Sequence, residues 1–435
     1  MRKNKVQVIS LGCSKNLVDS EHLLRQLQAA GYTVAHNPSR IDAEVVVVNT
    51  CGFIADAQEE SVNTILELGE AKRRGSIGRL FVMGCLAERF MADLQAELPE
   101  VDKFYGKFTW PQLLNDLGKA YRDDLAGERY LTTPGHYAYL KISEGCNRFC
   151  AFCAIPLITG RHKSVPIERL LDEVRHLVAK GVKEFNVIAQ DLSSYGLDLY
   201  GKMMLPELID RMAQIRGVEW IRLHYAYPTQ FPYDILPVMA RHDNVCNYLD
   251  IALQHISDPV LNNMRRHISR QETLDLLARL RREVPGIHIR TTLMVGFPGE
   301  GEQEFEQLKE FVREARFERM GAFAYCEEAG TYSAQHFQDS IPDEVKQDRL
   351  DQIMAIQQEI SLEIQETKVG QTLRVIVDRE DEDYYVGRTE WDSPEVDPEV
   401  LIRKNAPLTV GNFYDVIITE ALPFELIAIP KLTIQ

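Results

Sequence analysis

Cys146, Cys150 and Cys153 stand in EGCNRFCAFCAIP (residues 144–156), three thiols within eight residues. Sulfur ligands at that density suggest a metal site. A closed structural zinc site wants four ligands, and no fourth Cys or His follows at finger spacing. A cubic four-iron, four-sulfur cluster suits three cysteines if its fourth iron is left for a substrate. A zinc site completed from a distance and three ordinary loop thiols are the alternatives.

Three further cysteines gain meaning only from the elements that precede them. Cys13 follows the strand-like VQVISL (6–11), Cys51 follows EVVVVN (44–49) and Cys85 follows RLFVMG (79–84). Helical segments are expected near 17–30, 55–73 and 86–97. Continuous apolar strands between helices predict a buried parallel sheet. In an open α/β sheet the strand C-termini share one edge, where ligands bind, so the three thiols are expected to converge there. The competing reading is that small buried cysteines are common after strands. Cys246 and Cys326 have no such partners and read as structural thiols.

The elements that must position the first trio form a second alternating series. The CxxxCxxC loop follows the apolar YLKIS (139–143). A helix is expected over 167–180, with Leu170, Leu171, Val174, Leu177 and Val178 on one face, and strands near 183–189, 219–224, 248–253, 288–295 and 320–325. Repeated βα units predict a full or partial barrel with its reactive mouth at the strand C-termini. Gln190, Asp191 and His255 fall at strand ends there, and TTLMVGFPGE (291–300) sets Gly296 and Gly299 in a turn. A polar loop and an ordinary Gly-Pro turn are the plain readings of these last features. Residues 343–366 read as one long helix with Leu350, Ile353, Ile356, Ile360 and Ile364 along a stripe. The remainder consists of short β-like runs that suggest a small antiparallel barrel. The polar, Gly- and Pro-containing stretch around 122–136 reads as a linker. The expected domains are therefore 1–122, a linker at 123–136, 137–366 and 367–435.

Bulk properties narrow the function classes. With 45% hydrophobic and 26% charged residues over 435 positions, the chain is neither disordered nor fibrous. No apolar run approaches a membrane span, and the apolar part of MRKNKVQVISLGC is too short for an export signal, so a cytoplasmic protein is expected. Eight cysteines in a chain of this size are not a small disulfide scaffold. A net charge of -16 disfavours nonspecific binding to a polyanion and favours basic partners.

The Cx3Cx2C spacing resembles the signature of the radical S-adenosylmethionine (SAM) superfamily. With LGCSKNLVDSE (11–21), NTCGFI (49–54), MGC (83–85) and the C-terminal β segment, essentially the whole chain looks like the methylthiotransferase family. That resemblance implies an α/β chain: an N-terminal parallel α/β cluster domain, a radical-SAM partial TIM barrel and a small antiparallel TRAM barrel. It implies two 4Fe-4S clusters, one on Cys13, Cys51 and Cys85 and one on Cys146, Cys150 and Cys153. SAM would bind the second at its open iron, with Gln190, Asp191, Gly296 and Gly299 as candidate contacts and Phe149 and Phe152 shielding the cluster. Reductive cleavage of SAM would give a radical that removes a carbon-bound hydrogen, and the first cluster would hold the sulfur that replaces it. No side chain is needed as acid or base in that abstraction. A low-potential donor such as a flavodoxin or ferredoxin and a sulfur source are implied as well.

Family members divide between those that modify an adenosine of tRNA and those that modify an aspartate β-carbon of the small-subunit ribosomal protein S12. Residues 368–435 carry thirteen Asp plus Glu against seven Lys plus Arg. REDEDYY (379–385) and EWDSPEVDPE (390–399) are expected to repel a phosphate backbone and attract a basic protein, unless they are simply a solvated surface. RLHYAYPTQ (222–230) and GRTEWDSPEVD (387–397) look like the ribosomal-protein branch. TGRHKS (159–164) departs slightly from the basic turn expected after the cluster loop.

Overall fold

The protein is described here as a computed structural model covering residues 2–431; Met1 and residues 432–435, at the ends of the outermost expected domains, lie outside the described residues. Strands β1 (Arg2–Ser10), β2 (Thr33–His36), β3 (Ala43–Thr50), β4 (Arg79–Gly84) and β5 (Lys103–Phe104) form a parallel sheet in the order β2-β1-β3-β4-β5. The alternating side chains of β3 feed two cores. Val46 and Val48 pack with Leu68 and Leu86 on one face, and Val45 and Val47 pack with Leu23 and Leu27 on the other. That is why the run EVVVVN shows no polar alternation. The chain leaves β1 toward β2 and returns on the opposite side to β3. The sheet's switch point therefore lies between β1 and β3. The short strands β2 and β5 are absent from the sequence reading; β5 is only two residues long.

The central sheet begins with β6 (Tyr137–Lys141). It continues, after a ribbon of β7 (Ser143–Glu144) and β8 (Lys163–Ser164), through β9 (Glu184–Ile188), β10 (Trp220–Ala226), β11 (Val245–Ile251), β12 (His288–Val295) and β13 (Arg319–Ala324). Its six strands are parallel neighbours in the order β6-β9-β10-β11-β12-β13. Helices such as Ile167–Ala179 and Glu302–Ala315 bury Leu170, Leu171, Val174, Leu308 and Phe311 against its outer face. Helix Asp343–Glu366 packs on β13, with Ile353 and Ile360 fully in the core and Leu350, Ile356 and Ile364 beside it. The inner positions are polar: Glu184 and Asn186, Arg222 and His224, and Tyr248 and Asp250 are all buried.

Strands β14 (Thr372–Glu380), β15 (Tyr384–Arg388), β16 (Glu399–Arg403), β17 (Phe413–Leu422) and β18 (Glu425–Pro430) close a barrel in the order β14-β15-β16-β18-β17. It is not wholly antiparallel, because β16 and β18 run parallel. Five strands in a closed ring cannot alternate throughout, so at least one neighbouring pair must match in direction. The stretch around 122–136 holds a single 3-10 turn, Asp123–Leu125, yet it is no free tether. Arg129 is buried, with Nε 3.0 Å from Glu21 Oε2 and Nη1 2.8 Å from Glu173 Oε1. It straps helix Ser14–Ala29 to helix Ile167–Ala179.

The acidic segment 390–399 corrects the sequence expectation. It is not a surface offered to a basic partner; it plugs the N-terminal end of the central barrel. Asp392 accepts from Arg319 Nε at 3.0 Å, and Asp397 accepts from Tyr248 Oη at 2.8 Å and Arg290 Nε at 3.2 Å. Arg222 donates to the carbonyls of Thr389 and Glu390, both at 3.2 Å. Of the two acidic runs, Glu380–Asp383 at the hairpin and Glu395 are exposed in the way expected.

Burial opposes the charges of Asp378 and Asp392, but Arg388 beside the first and Arg319 beside the second pull each carboxyl down to about 2. Against an unfolded value near 3.8, each depressed group stabilises the fold by roughly 2 kcal/mol above about pH 4, and that contribution fades as pH falls toward 2. Asp392→Asn is therefore expected to be destabilised at pH 6, with its gap from the parent narrowing between pH 4 and pH 2. Urea unfolding followed by Trp391, which stacks on His288 at 4.4 Å, measures it. A gap independent of pH would contradict the assignment.

Candidate two-cluster site

Cys13 caps helix Ser14–Ala29, Cys51 follows β3, and Cys85 opens helix Cys85–Glu97, one residue earlier than the sequence suggested. The three loops approach closely. A Cβ on Gly12 would lie 2.7 Å from Cys51 Cβ and 2.9 Å from Cys51 Sγ, and one on Gly52 would lie 2.7 Å from the Leu86 backbone and 2.9 Å from that of Cys85. Only glycine fits at either place. Buried Asn16 ties the loops together, donating to the Thr50 carbonyl at 2.9 Å and accepting from the Cys85 thiol at 3.4 Å. Two of the thiols sit at helix N-termini, where partial positive charge favours thiolate. Packing pushes the Cys13 thiol up, but Lys15, the Asn16 backbone N–H and Lys107 outweigh it and leave Cys13 below its ordinary value. Burial pushes Cys51 up and Cys85 up to about 12.

The second trio lies in the loop between β7 and helix Ile155–Thr159. The Cys146 N–H donates to the Gly160 carbonyl at 3.2 Å, and the Cys153 N–H to the Cys150 carbonyl at 3.1 Å. Cys150 Sγ lies 3.1 Å from Arg266 Nη1 and 3.5 Å from Tyr227 Oη. Burial pushes Cys146 up to about 12 and raises Cys153 further. Phe152 packs edge-on against Phe297 at 6.3 Å, whereas Phe149 is 48% exposed and has φ +50°, so only Phe152 is positioned to shield the loop.

A buried ionic network joins the two trios. Lys107 Nζ lies 2.9 Å from Asp19 Oδ2, 3.4 Å from Asn16 Oδ1 and 3.7 Å from Glu144 Oε1, and Lys141 pairs with both Asp19 and Glu144. Burial opposes the Lys107 charge; Asp19 and Glu144 overcome it and hold the ammonium well above its ordinary pKa. Contacts thus run from Cys85 through Asn16 and Lys107 to Glu144, two residues before Cys146. Beside them is a cleft of about 330 Å³ lined by Trp110, Lys141, Glu144 and Lys163. Arg89, paired with Glu328 at 3.0 Å, clamps the two domains on another side.

The remaining sequence candidates separate by role. Gln190 donates to Glu144 and leaves its buried Oε1 without a partner. Asp191 is already engaged, accepting from Arg148 Nε at 2.7 Å and from the Ser193 N–H at 2.9 Å. Gly296 and Gly299 sit in a turn where added Cβ atoms would strike Lys346 and Asn263 side chains, which gives both a packing role. His255 is buried beneath that turn, with Nε2 3.2 Å from Glu300 Oε2. Cys246 is buried beside Trp220 and Tyr248, but Cys326 is exposed and packs no core. The sequence reading missed Arg148, Tyr227 and Arg266, whose two guanidinium carbons lie 4.3 Å and 4.1 Å from the Tyr227 ring centroid. Arg148 stands inside the cysteine motif, which was a signal; the other two lie in turns beyond later strands.

The donor set fits iron–sulfur clusters: soft thiols, no charged carboxylate in either trio, and hydrogen-bond donors aimed at Cys150. Among the described residues no three Cys, His, Asp or Glu side chains gather tightly around one ion-sized point. The fit rests on placement and environment. Buried polar atoms of Ser143, Arg148, Gln190 and Gln254 without protein partners suit a polar ligand at the barrel mouth. Tyr225 and Gln254 hold left-handed backbones there, at φ +65° and +72°.

Residues 5–106 match the uncharacterized protein family UPF0004, residues 140–312 the Radical SAM superfamily and residues 369–430 the TRAM domain. The chain is 66% identical over 426 residues to a Parabacteroides distasonis protein, covering 98% of this chain and 99% of that one. It is 62% identical to one from Bacteroides thetaiotaomicron (98% of each) and 52% identical to one from Christiangramia forsetii (99% and 95%). All three are named ribosomal protein uS12 methylthiotransferase RimO. Among solved structures, the radical SAM methyltransferase TsrM from Kitasatospora setae, bound to tryptophan and a SAM analogue, aligns at 14% identity and TM-score 0.54 over 88% of this chain and 79% of that one. The cobalamin-dependent enzyme OxsB aligns at 12% and 0.52, over 82% and 56%. These two likenesses concern the fold alone. No described helix is long and apolar enough to cross a membrane.

Proposed function

The chain belongs to the RimO family of ribosomal protein uS12 methylthiotransferases, and from that premise we propose that it replaces a hydrogen on the β-carbon of an aspartate in uS12 with a methylthio group. The observation that carries the reading is the pair of three-cysteine loops facing each other across two domains, joined through Asn16, Lys107 and Glu144. Cys146, Cys150 and Cys153 would hold one 4Fe-4S cluster, whose chemistry would be one-electron reduction of SAM, and Cys13, Cys51 and Cys85 would hold another, which would offer an open iron for sulfur.

The chain's own residues do the positioning. Asp191 orients Arg148, and Arg148 and Arg266 flank Tyr227, which fixes the wall of the cluster loop. Arg266 donates a hydrogen bond to Cys150 and thereby tunes whatever charge the thiolate carries, while the Tyr227 hydroxyl lies beside the same sulfur and donates to the Arg266 carbonyl. The free Oε1 atoms of Gln190 and Gln254, the Ser143 hydroxyl and Arg148 Nη2 are polar atoms available to SAM. Asp19, Lys107, Lys141 and Glu144 hold the sulfur-bearing edge over the barrel mouth, which is the proximity a two-centre reaction requires. The net charge of -16 favours approach of a basic ribosomal protein. A flavodoxin or ferredoxin serves as donor, sulfur comes from a separate source, and the reaction takes place in the cytoplasm, where the ribosomal substrate is made.

Anaerobic incubation of the reconstituted enzyme with SAM, a reductant, a sulfide source and either uS12 or tRNA, read by mass spectrometry, tests the assignment. A methylthio product on uS12 alone is expected. Product on tRNA alone would replace this reading with the adenosine-modifying one.

A further inference from the structure

We propose that Lys15 receives the side-chain carboxylate of the substrate aspartate and so selects a protein carboxylate; the inference rests on the activity proposed above. Lys15 lies in the first turn of helix Ser14–Ala29, two residues after Cys13, and reaches across to the barrel, where its Nζ stands 3.4 Å from the centroid of the Tyr225 ring. Tyr225 belongs to β10 near its C-terminal end, the edge at which a barrel presents its reactive mouth. The left-handed backbone of this aromatic residue is uncommon and costs free energy, which marks a position held for a purpose.

The more buried cations of this junction have anionic or thiol partners, whereas Lys163 at the rim of the cleft is exposed to water. Lys107 and Lys141 have Asp19 and Glu144, Arg148 has Asp191, Arg290 has Asp397 and Asp250, and Arg266 has the Cys150 thiol. Among the described residues Lys15 forms no ion pair with an Asp or Glu oxygen within 4 Å; its ammonium rests on the Tyr225 ring, and the Cys13 thiol and Asp250 feel its charge without pairing with it. A cation–π contact partly compensates a desolvated ammonium and leaves N–H donors open.

A carboxylate is the group such a vacancy selects. The chain carries a net charge of -16, so an acidic side chain is repelled unless a cation waits at the site. In the substrate the carboxylate is bonded directly to the carbon that reacts. Fixing it on Lys15 places that carbon between the Cys13 loop and the barrel mouth, next to both reaction partners. A nucleobase has no anionic group beside its reacting carbon, so the same ammonium gives it no comparable hold. Lysine suits this duty better than arginine because its donors rotate about one compact charge.

The test compares reconstituted wild-type, Lys15→Gln and Lys15→Arg enzymes on uS12 bearing the native aspartate or an Asp-to-Asn replacement, with kcat and KM for methylthio product and the iron content and cluster spectra of each variant. Wild type is expected to prefer the aspartate substrate, Lys15→Gln to lose about 100-fold in kcat/KM on it, and Lys15→Arg to recover at least about tenfold of that loss. The preference for Asp over Asn should shrink accordingly. Unchanged kcat/KM in Lys15→Gln, an equal loss on both substrates, or a loss of iron that accounts for the defect would overturn the proposal while leaving the enzyme's activity on uS12 intact as a conclusion. If the wild type leaves uS12 unmodified altogether, the activity reading fails, and this proposal with it.

Discussion

Glu184→Gln is expected to destabilise the junction between the two barrels by about 3–5 kcal/mol, because it strips the shared counterion from two buried arginines. Glu184 opens β9 and is inaccessible to solvent. Its Oε1 and Oε2 accept from Arg388 at 3.0 Å and 2.7 Å, and it also pairs with Arg222. Arg388 carries the effect onward, reaching Asp378 at 2.6 Å, and Asp378 in turn lies 2.8 Å from His136 Nε2. Burial opposes all these charges, and the arginines still hold the Glu184 carboxyl below its ordinary value. Gln keeps the shape and one acceptor but leaves two guanidinium groups facing a neutral amide. Urea unfolding should show the lost stability, and Glu184→Leu combined with Arg222→Met should be less damaged than the sum of its parts, since the two groups are coupled. A cost under about 1 kcal/mol would mean that Arg388 and Arg222 find enough compensation in Asp378 and the Thr389 and Glu390 carbonyls alone.

That junction also shows where sequence reading stops. The strands and helices were legible because their side chains report their own burial: EVVVVN faces two cores, and the helix after Pro166 repeats its leucines every turn. The polar barrel interior was legible in principle, since Arg222 and His224 alternate with Ile221 and Leu223, a period-two signature of a strand with one polar face. The acidic run at 390–399 was not. A cluster of carboxylates reads as solvated until its partners are known, and Arg319 and Arg290 belong to other elements some 70 to 110 residues away. The strap around Arg129 was hidden for the same reason, its two glutamates lying on separate helices in different domains. The cysteine trios stood out because the spacing of one is local and the other repeats a single position after three parallel strands. Arg266 carries no local mark at all, and only the fold brings it to Cys150.

Cys13→Ala is expected to abolish methylthio transfer while SAM cleavage survives, and Cys150→Ala to abolish both. The two trios belong to units with separate hydrophobic cores, so loss of a ligand in one need not dismantle the other. Removing a residue that merely supports a metal ligand commonly costs 10–100-fold; removing a ligand should cost at least about 100-fold in product. Cys13 also makes no side-chain contact on which packing of the sheet depends, since its helix is anchored by Val18, Leu23, Leu24 and Leu27. Iron content should fall by about half in Cys13→Ala, with 5′-deoxyadenosine still formed under reducing conditions. Cys326→Ser, altered at an exposed thiol outside both trios, is the matched control and should retain product formation. If Cys13→Ala instead lost SAM cleavage as well, the Asn16–Lys107–Glu144 contacts would have to transmit damage from one trio to the other. Lys107→Met would then reproduce the defect with every cysteine in place, which separates a missing ligand from a broken bridge.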